Sequence, residues 1–152
     1  MTIVVTTAVV FMLAGCNHGP VMSQARFVHL PDAGWLHDAP LSFSPEYPDM
    51  MATYSLMLAV RHTNRYPYCN LSLVVDMIAA DSAVTRRQVD MKLADEYGNW
   101  LGGGFGSLYQ ETIQLVAEVN PDDARSIVVW QAMQGCDTLA GLTDIGLFAK
   151  PL

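Results

Sequence analysis

The stretch Tyr54-Ser55-Leu56-Met57-Leu58-Ala59-Val60-Arg61 puts Tyr54, Leu56, Leu58 and Val60 on one side of an extended chain and Ser55, Met57, Ala59 and Arg61 on the other. Successive side chains of a strand point to opposite faces, so a period of two reads as a strand with one face turned to a core. The pattern returns at Leu71, Leu73, Val75 and Met77, with Asn70, Ser72 and Asp76 opposite. Between the two runs, polar residues 61–67 carry Asn64 and Pro67 and read as a hairpin connection.

The same alternation extends over the rest of the chain. Residues 84–93 read as a polar strand, and residues 112–119 place Ile113, Leu115, Ala117 and Val119 on one face. Residues 126–133 are dense in β-branched and aromatic side chains, and residues 142–149 supply a last strand. Breakers fall between these runs: Pro31, Pro40, Pro45, Pro48, then Asp81 and Ser82, Asn120 and Pro121, Gly135 and Gly141. Residues 33–49 show no sustained period and read as an ordered crossing loop that holds Trp35 and Phe43 against the core. No segment keeps the i, i+3, i+4, i+7 spacing that buries a helical face. The expected fold is therefore all-β, a single antiparallel β-sandwich of jelly-roll-like form over residues 24–152.

Composition agrees with one well-buried core. The chain has 152 residues, 51% of them hydrophobic and 15% charged, the latter below the roughly 25% of an average soluble domain. Its net charge of −7 lacks the basic footprint that nucleic acid or an anionic membrane surface requires, so neither is an expected electrostatic partner.

The N-terminus points to a compartment. Residues 3–13 are apolar apart from Thr6 and Thr7, too short for the roughly 20 residues of a spanning helix but suited to a signal-peptide core. They end in Leu13-Ala14-Gly15-Cys16, the pattern of a bacterial lipobox, although no Lys or Arg precedes Arg26. Residues 1–15 are expected to be a lipoprotein signal peptide, Cys16 the acylated residue and residues 16–23 the lipidated Cys and tether. The acyl chains on Cys16 would hold the protein to a membrane of the cell envelope, with the outer membrane and a periplasm-facing position preferred. Cys69 and Cys136 then remain, and two readings stay open: a disulfide in an oxidising compartment, or two buried free thiols.

Other constellations suggest little chemistry. His29 and His37 lie near each other in sequence, yet no further donors at ligand spacing accompany them, so they read as loop histidines and no metal is expected. His62, beside Arg61, reads as solvated or hydrogen-bonded. Gly102, Gly103, Gly104 and Gly106 lack the Lys-Ser/Thr that follows a phosphate-binding loop, and read as a turn followed by a strand edge. No Gly-x-Ser-x-Gly elbow occurs. No catalytic residue and no cofactor is assigned, and a non-enzymatic protein is expected.

Three segments carry a family resemblance: residues 54–71 (Tyr-Ser-Leu-Met-Leu-Ala-Val-Arg-His-Thr-Asn-Arg-Tyr-Pro-Tyr-Cys-Asn-Leu), residues 93–104 (Leu-Ala-Asp-Glu-Tyr-Gly-Asn-Trp-Leu-Gly-Gly-Gly) and residues 131–147 (Gln-Ala-Met-Gln-Gly-Cys-Asp-Thr-Leu-Ala-Gly-Leu-Thr-Asp-Ile-Gly-Leu). With the lipobox, Trp35 and Phe43, they make the chain resemble the gliding motility lipoprotein GldH family of Bacteroidetes over nearly all of its mature length. The resemblance implies a lipid-anchored envelope protein of the gliding machinery, with other envelope or gliding proteins as partners and no catalytic residues to carry over. Trp100, Leu101 and Phe105, on a glycine-rich backbone that another chain can approach closely, are the expected partner surface; the bland alternative places Trp100 and Phe105 in the core. A rival reading is an envelope ligand-binding module, in which Tyr66, Tyr68, Trp100 and Tyr109 stack a glycan or clamp a peptide.

Overall fold

The computed structural model describes residues 25–152; the signal peptide, Cys16 and the tether expected above lie outside the described residues. The strands in chain order are β1 (Arg26–His29), β2 (Trp35–Leu36), β3 (Leu41–Phe43), β4 (Tyr54–Thr63), β5 (Asn70–Ile78), β6 (Val84–Lys92), β7 (Gly103–Phe105), β8 (Leu108–Val119), β9 (Ser126–Gln131), β10 (Thr138–Leu139) and β11 (Leu142–Pro151). Among the described residues a 3-10 turn spans Pro121–Asp123.

They form a five-stranded sheet in the order β1-β11-β4-β8-β7 and a four-stranded sheet in the order β3-β9-β5-β6, with β2 and β10 pairing separately. Setting aside the short β2, β7 and β10, the first, last, third and sixth of the remaining strands share one sheet, and the second, seventh, fourth and fifth share the other. That order is the double Greek key of a jelly roll. Every pairing is antiparallel.

The core lies between the inner faces of the sheets. Tyr54, Leu56, Leu58 and Val60 of β4, with Ile145, Leu147 and Ala149 of β11, meet Leu71, Leu73, Val75 and Met77 of β5 and Ile127 and Val129 of β9 in one buried cluster. Full burial of each large aliphatic side chain stabilises by about 1.5–3 kcal/mol. The outer faces are capped differently. On the first sheet the Arg61 guanidinium lies 3.7 Å from the centre of the Phe27 ring. That ring rests against Gly146, where a Cβ would approach it to 2.5 Å. On the second sheet Asp76 and Arg86 sit directly opposite each other and join through two bonds of 2.6 and 2.7 Å. The Arg86 contact holds the Asp76 carboxyl below its ordinary range.

Three expectations are corrected. Residues 61–67 do not close a hairpin, because β4 pairs with β8 and β11 whereas β5 pairs with β6 and β9. The segment is an arch from one sheet to the other. Period-two patterning states that each strand has a core face but not which strand lies beside it. In β8 the phase slips: Val116 is buried and Ala117 exposed. The pairing with β4 shifts register between Tyr54 and Leu56 and again between Leu56 and Met57, and such bulges re-aim side chains. The segment 33–49 does bury Trp35 and Phe43, but it also contains β3, which pairs with β9 at the sheet edge. Its three residues are too few to show a period, and the flanking Pro40 and Pro45 suit an edge strand.

Leu58 is fully buried at the centre of this packing, so Leu58→Ala is expected to destabilise the fold by about 2–5 kcal/mol. Urea unfolding read by circular dichroism checks it, and a change below about 1 kcal/mol would mean the site is not core.

Candidate functional site

The connections sort to two ends. Residues 30–40, 64–69, 93–102 and 132–141 meet at one end, through His37 N–H to Asp137 O at 2.9 Å, Thr63 N–H to Gly141 O at 2.8 Å and Ala94 N–H to Cys69 O at 2.9 Å. Residues 44–53, 79–83 and 120–125 meet at the other, through Ala80 N–H to Asp122 O at 2.7 Å and Tyr47 Oη–H to Ala124 O at 2.8 Å. β1 begins at mid-sheet, with Arg26 opposite Leu147, and the Arg26 side chain pairs with Glu46 of the 44–53 segment.

The first end is organised around His62, which is 0% exposed. It stacks on Tyr109, its cross-strand partner, at 5.5 Å between ring centres, and contacts Trp100 at 4.5 Å and Tyr66 at 5.8 Å. Its Nδ1 lies 3.1 Å from Thr63 O, while Nε2 is buried without a hydrogen-bond partner among the described residues. Of the two readings of His62, hydrogen-bonded holds, through Thr63 O, and solvated does not: strand alternation carries it onto the inner face behind Val60. Burial pushes its pKa below the ordinary 6.5, because desolvation penalises the charged ring. Tyr66 closes the cluster, donating to Asn70 O at 2.8 Å. Gly141, at φ +88°, allows the 132–141 connection to pass so close that a Cβ would come within 2.6 Å of the Tyr66 backbone.

The glycine-rich segment is built in two steps. Asp95 Oδ1 accepts from the backbone N–H groups of Tyr97 and Asn99 at 2.9 and 2.8 Å. The Asn99 side-chain amide, together with those backbone bonds, holds the Asp95 carboxyl below its ordinary range. The turn delivers half-buried Trp100 to His62. The chain then passes Gly102, where a Cβ would lie 2.3 Å from Gln110 O, and Gly104, where one would lie 2.7 Å from the Tyr109 ring. Phe105 and Leu108 pair across a two-residue turn in which Gly106 takes φ +63°. At the tip of this hairpin Phe105 is 93% exposed, and Leu101 is also exposed.

Tyr66, Tyr68, Trp100 and Tyr109 thus come together, but their faces are spent on one another and on His62, and Tyr68 is the ring among them classed as exposed. A flat platform for stacking a sugar is not what they build. Cys69 and Cys136 are free thiols, the first exposed and the second half-buried, and Cys136 Sγ–H donates to Thr138 O at 3.3 Å. His29 is turned to Asp144 at 3.2 Å. Among the described residues, no group of three or more His, Cys, Asp and Glu gathers to hold a metal. The first end also holds an apolar pocket of about 420 Å³ between the 30–40 connection and Thr138, with Leu30, Ala33, Trp35, Leu36 and Leu41 among its walls. The periodic sequence signal had no means of finding it, because its walls are built by an aperiodic loop.

The family profile described as GldH lipoprotein matches residues 23–148. The chain belongs to the GldH lipoprotein family. A gliding motility lipoprotein GldH homolog of Christiangramia forsetii is 24% identical over 145 residues, covering 90% of this chain and 87% of that protein. The gliding motility lipoprotein GldH of Flavobacterium johnsoniae is 23% identical over 141 residues, covering 89% and 87%. Among solved structures, the VP2 subviral particle of infectious bursal disease virus aligns with 85% of this chain at 13% identity and a TM-score of 0.34, and the chain spans 32% of it.

The lowered pKa of His62 predicts a pH dependence. The unfolded chain takes up a proton near pH 6.5 that the folded chain resists, so the neutral ring's contribution is fully present above that pH and is lost as pH falls through the lower folded value. Thermal melts from neutral to mildly acidic pH should show falling stability, with a shallower fall in His62→Phe. Parallel curves for the two proteins would refute the assignment.

Proposed function

We propose that this GldH-family chain is a lipid-anchored envelope protein, held by acyl chains on Cys16, that serves gliding-motility-associated machinery by docking other envelope or gliding proteins and not by catalysis. The observation that carries the reading is the division of the sandwich into two ends. The anchor side is suggested by the direction of β1, which starts at mid-sheet with Arg26 paired to Glu46 of the 44–53 segment and runs toward the opposite end. The ten residues of β4 separate the ends by about 30 Å at the usual strand rise. The far end carries Leu36, Tyr97, Leu101, Phe105 and Leu108, all exposed.

Apolar side chains clustered on tight turns suit partner docking, because exposed aromatics on rigid backbone lose little entropy on binding and often dominate interface energy. Residues 16–25 span up to about 30 Å when extended, so the far end is carried clear of the headgroups. The relatives from Christiangramia forsetii and Flavobacterium johnsoniae bear gliding motility in their names, which supports the machinery this chain serves. An outer-membrane anchor with the domain facing the periplasm is the arrangement we favour.

Cys16→Ser is expected to abolish labelling by a fatty-acid analogue and to release the protein from the membrane fraction; persistent labelling would reject the anchor. Phe105→Ala should weaken capture of envelope partners by crosslinking in intact cells while changing stability by no more than about 1 kcal/mol, as for other exposed truncations. Undiminished capture by the variant would remove Phe105 from the docking surface.

A further inference from the structure

The strand β6 forms an open edge of the four-stranded sheet: among the described residues it pairs with β5 and has no neighbour on its other side. The other sheet edges are blunted. β1, β3 and β7 have only three or four residues each, and the part of β8 beyond β7 is broken by its two register shifts. Short and bulged edges resist pairing with a further strand. β6, by contrast, runs nine residues in unbroken register without a proline. Leu93 N–H to Cys69 O and Ala79 N–H to Ala83 O, both 2.8 Å, continue that register at its two ends. Bonded pairs alternate along an antiparallel ladder, so the backbone groups of Val84, Arg86, Gln88, Asp90 and Lys92 point away from β5. The side chains of these five residues share the outer face, where Arg86 is joined to Asp76 and Ser72 Oγ–H donates to Asp90.

We infer that β6 pairs antiparallel with β6 of a second copy, about a two-fold axis at Gln88, so that the two four-stranded sheets become continuous. The symmetric register overlaps the whole strand and sets Arg86 of each copy opposite Asp90 of the other. Each Arg86 then stands between Asp76 of its own copy and Asp90 of the second, in a row that ends on the second copy's Ser72. A slide of two residues one way sets Arg87 opposite Arg87, and the other way sets Arg86 opposite Lys92. Like charges directly opposed are destabilising, so the charges on this edge repel the neighbouring registers and match in the symmetric one. Complementarity of the strand to itself singles out a second copy over a strand from another protein. The backbone bonds supply affinity, and the charges fix register. The contact is isologous, and its axis runs normal to the sheets. Both five-stranded sheets, with the β1 strands from which the tethers lead, therefore lie on one side of the pair and can face one membrane. The two far ends point in opposite directions, each open to a docked protein.

The test uses the full-length chain in its own envelope, with Cys69→Ser and Cys136→Ser removing the free thiols. In that background Gln88→Cys should oxidise to a disulfide-linked dimer, because position 88 meets its counterpart at about 5.5 Å between Cα atoms, within disulfide reach. The parent without Gln88→Cys should run as a monomer on the same non-reducing gel. Val84→Cys should crosslink to Lys92→Cys of a differently tagged chain and not to itself. Asp90→Arg, which sets like charge opposite Arg86, should lower crosslinking at position 88 at least tenfold with an unchanged melt. The Gln88 N–H is not used by β5, so Gln88→Pro suits the fold of one copy and should shift the detergent-solubilised protein from dimer to monomer mass. A folded chain that stays monomeric with Gln88→Cys, self-crosslinking of Val84→Cys, or crosslinking undiminished by Asp90→Arg would overturn the inference. An adduct from position 88 to a different protein would also overturn it and give the edge to that protein. Phe105→Ala should leave the dimer unchanged, so that failure of the docking surface and failure of the pair are read separately.

Discussion

The structure depends on the meeting of two inner rows across the sandwich: Tyr54, Leu56, Leu58 and Val60 of β4 against Leu71, Leu73, Val75 and Met77 of β5. These are the two most continuous apolar rows in the chain, and the short segment between them forces them into contact. Side by side in one sheet they would share a face and need a cover from elsewhere. Placed in opposite sheets, they cover each other. Every other strand then has a place, because β8 and β11 flank β4 and β6 and β9 flank β5. The arch over residues 64–69 is tied down by Tyr66 to Asn70 O, by Thr63 N–H to Gly141 O, and by Cys69 O receiving the Leu93 and Ala94 amides. Those bonds satisfy backbone groups that a free loop would leave to water.

Much of this was legible in the sequence, and the parts that were not have physical reasons. Period two marks β4 and β5, β-branched and aromatic density marks β9, and β6 and β11 read as strands without a continuous alternation. Pairing did not follow, because a core-facing row looks the same beside its sequence neighbour as across from it. The phase of β8 was lost at Val116 because a bulge inserts a residue without changing composition. β3 escaped because three residues between prolines show no period. The segments that carry the resemblance run through β4 and β11 as well as the turns, and in the turns glycines meet close steric demands, as with Gly104 under the Tyr109 ring and Gly141 against Tyr66.

At the candidate site, the residue types were legible and their environments were not. Phe105 sits one residue before the glycine of its turn, a place where a side chain points into solvent, and it is exposed. Trp100 is five residues away in a similar setting, yet it packs half-buried on His62. The difference is the Asp95 turn, whose three accepted bonds swing the chain inward at 100 and release it again by 103. His62 itself gave a misleading signal, because a histidine following an arginine suggests a wet strand end. Only the shielding by Tyr66, Trp100 and Tyr109, which come from three other segments, makes it a core residue.

That enclosure explains how one end of a small sandwich carries so much exposed apolar surface without loosening. Leu101, Phe105 and Leu108 contribute little to the core, so their placement must come from the groups behind them. His62, Trp100 and Tyr109 form a second, aromatic core beneath the β7–β8 hairpin, continuous with the main cluster through Val60. The segment's backbone is fixed at both sides, by the Asp95 turn before it and by the pairing of Gly103 and Phe105 with β8 after it. Core packing and exposed apolar surface are therefore borne by different side chains of the same segment. Substitutions on the inward set should move melting temperature and partner capture together, whereas those on the outward set act on capture alone. Because the outward set adds little to the packing, its side chains can vary while the jelly roll beneath them stays the same.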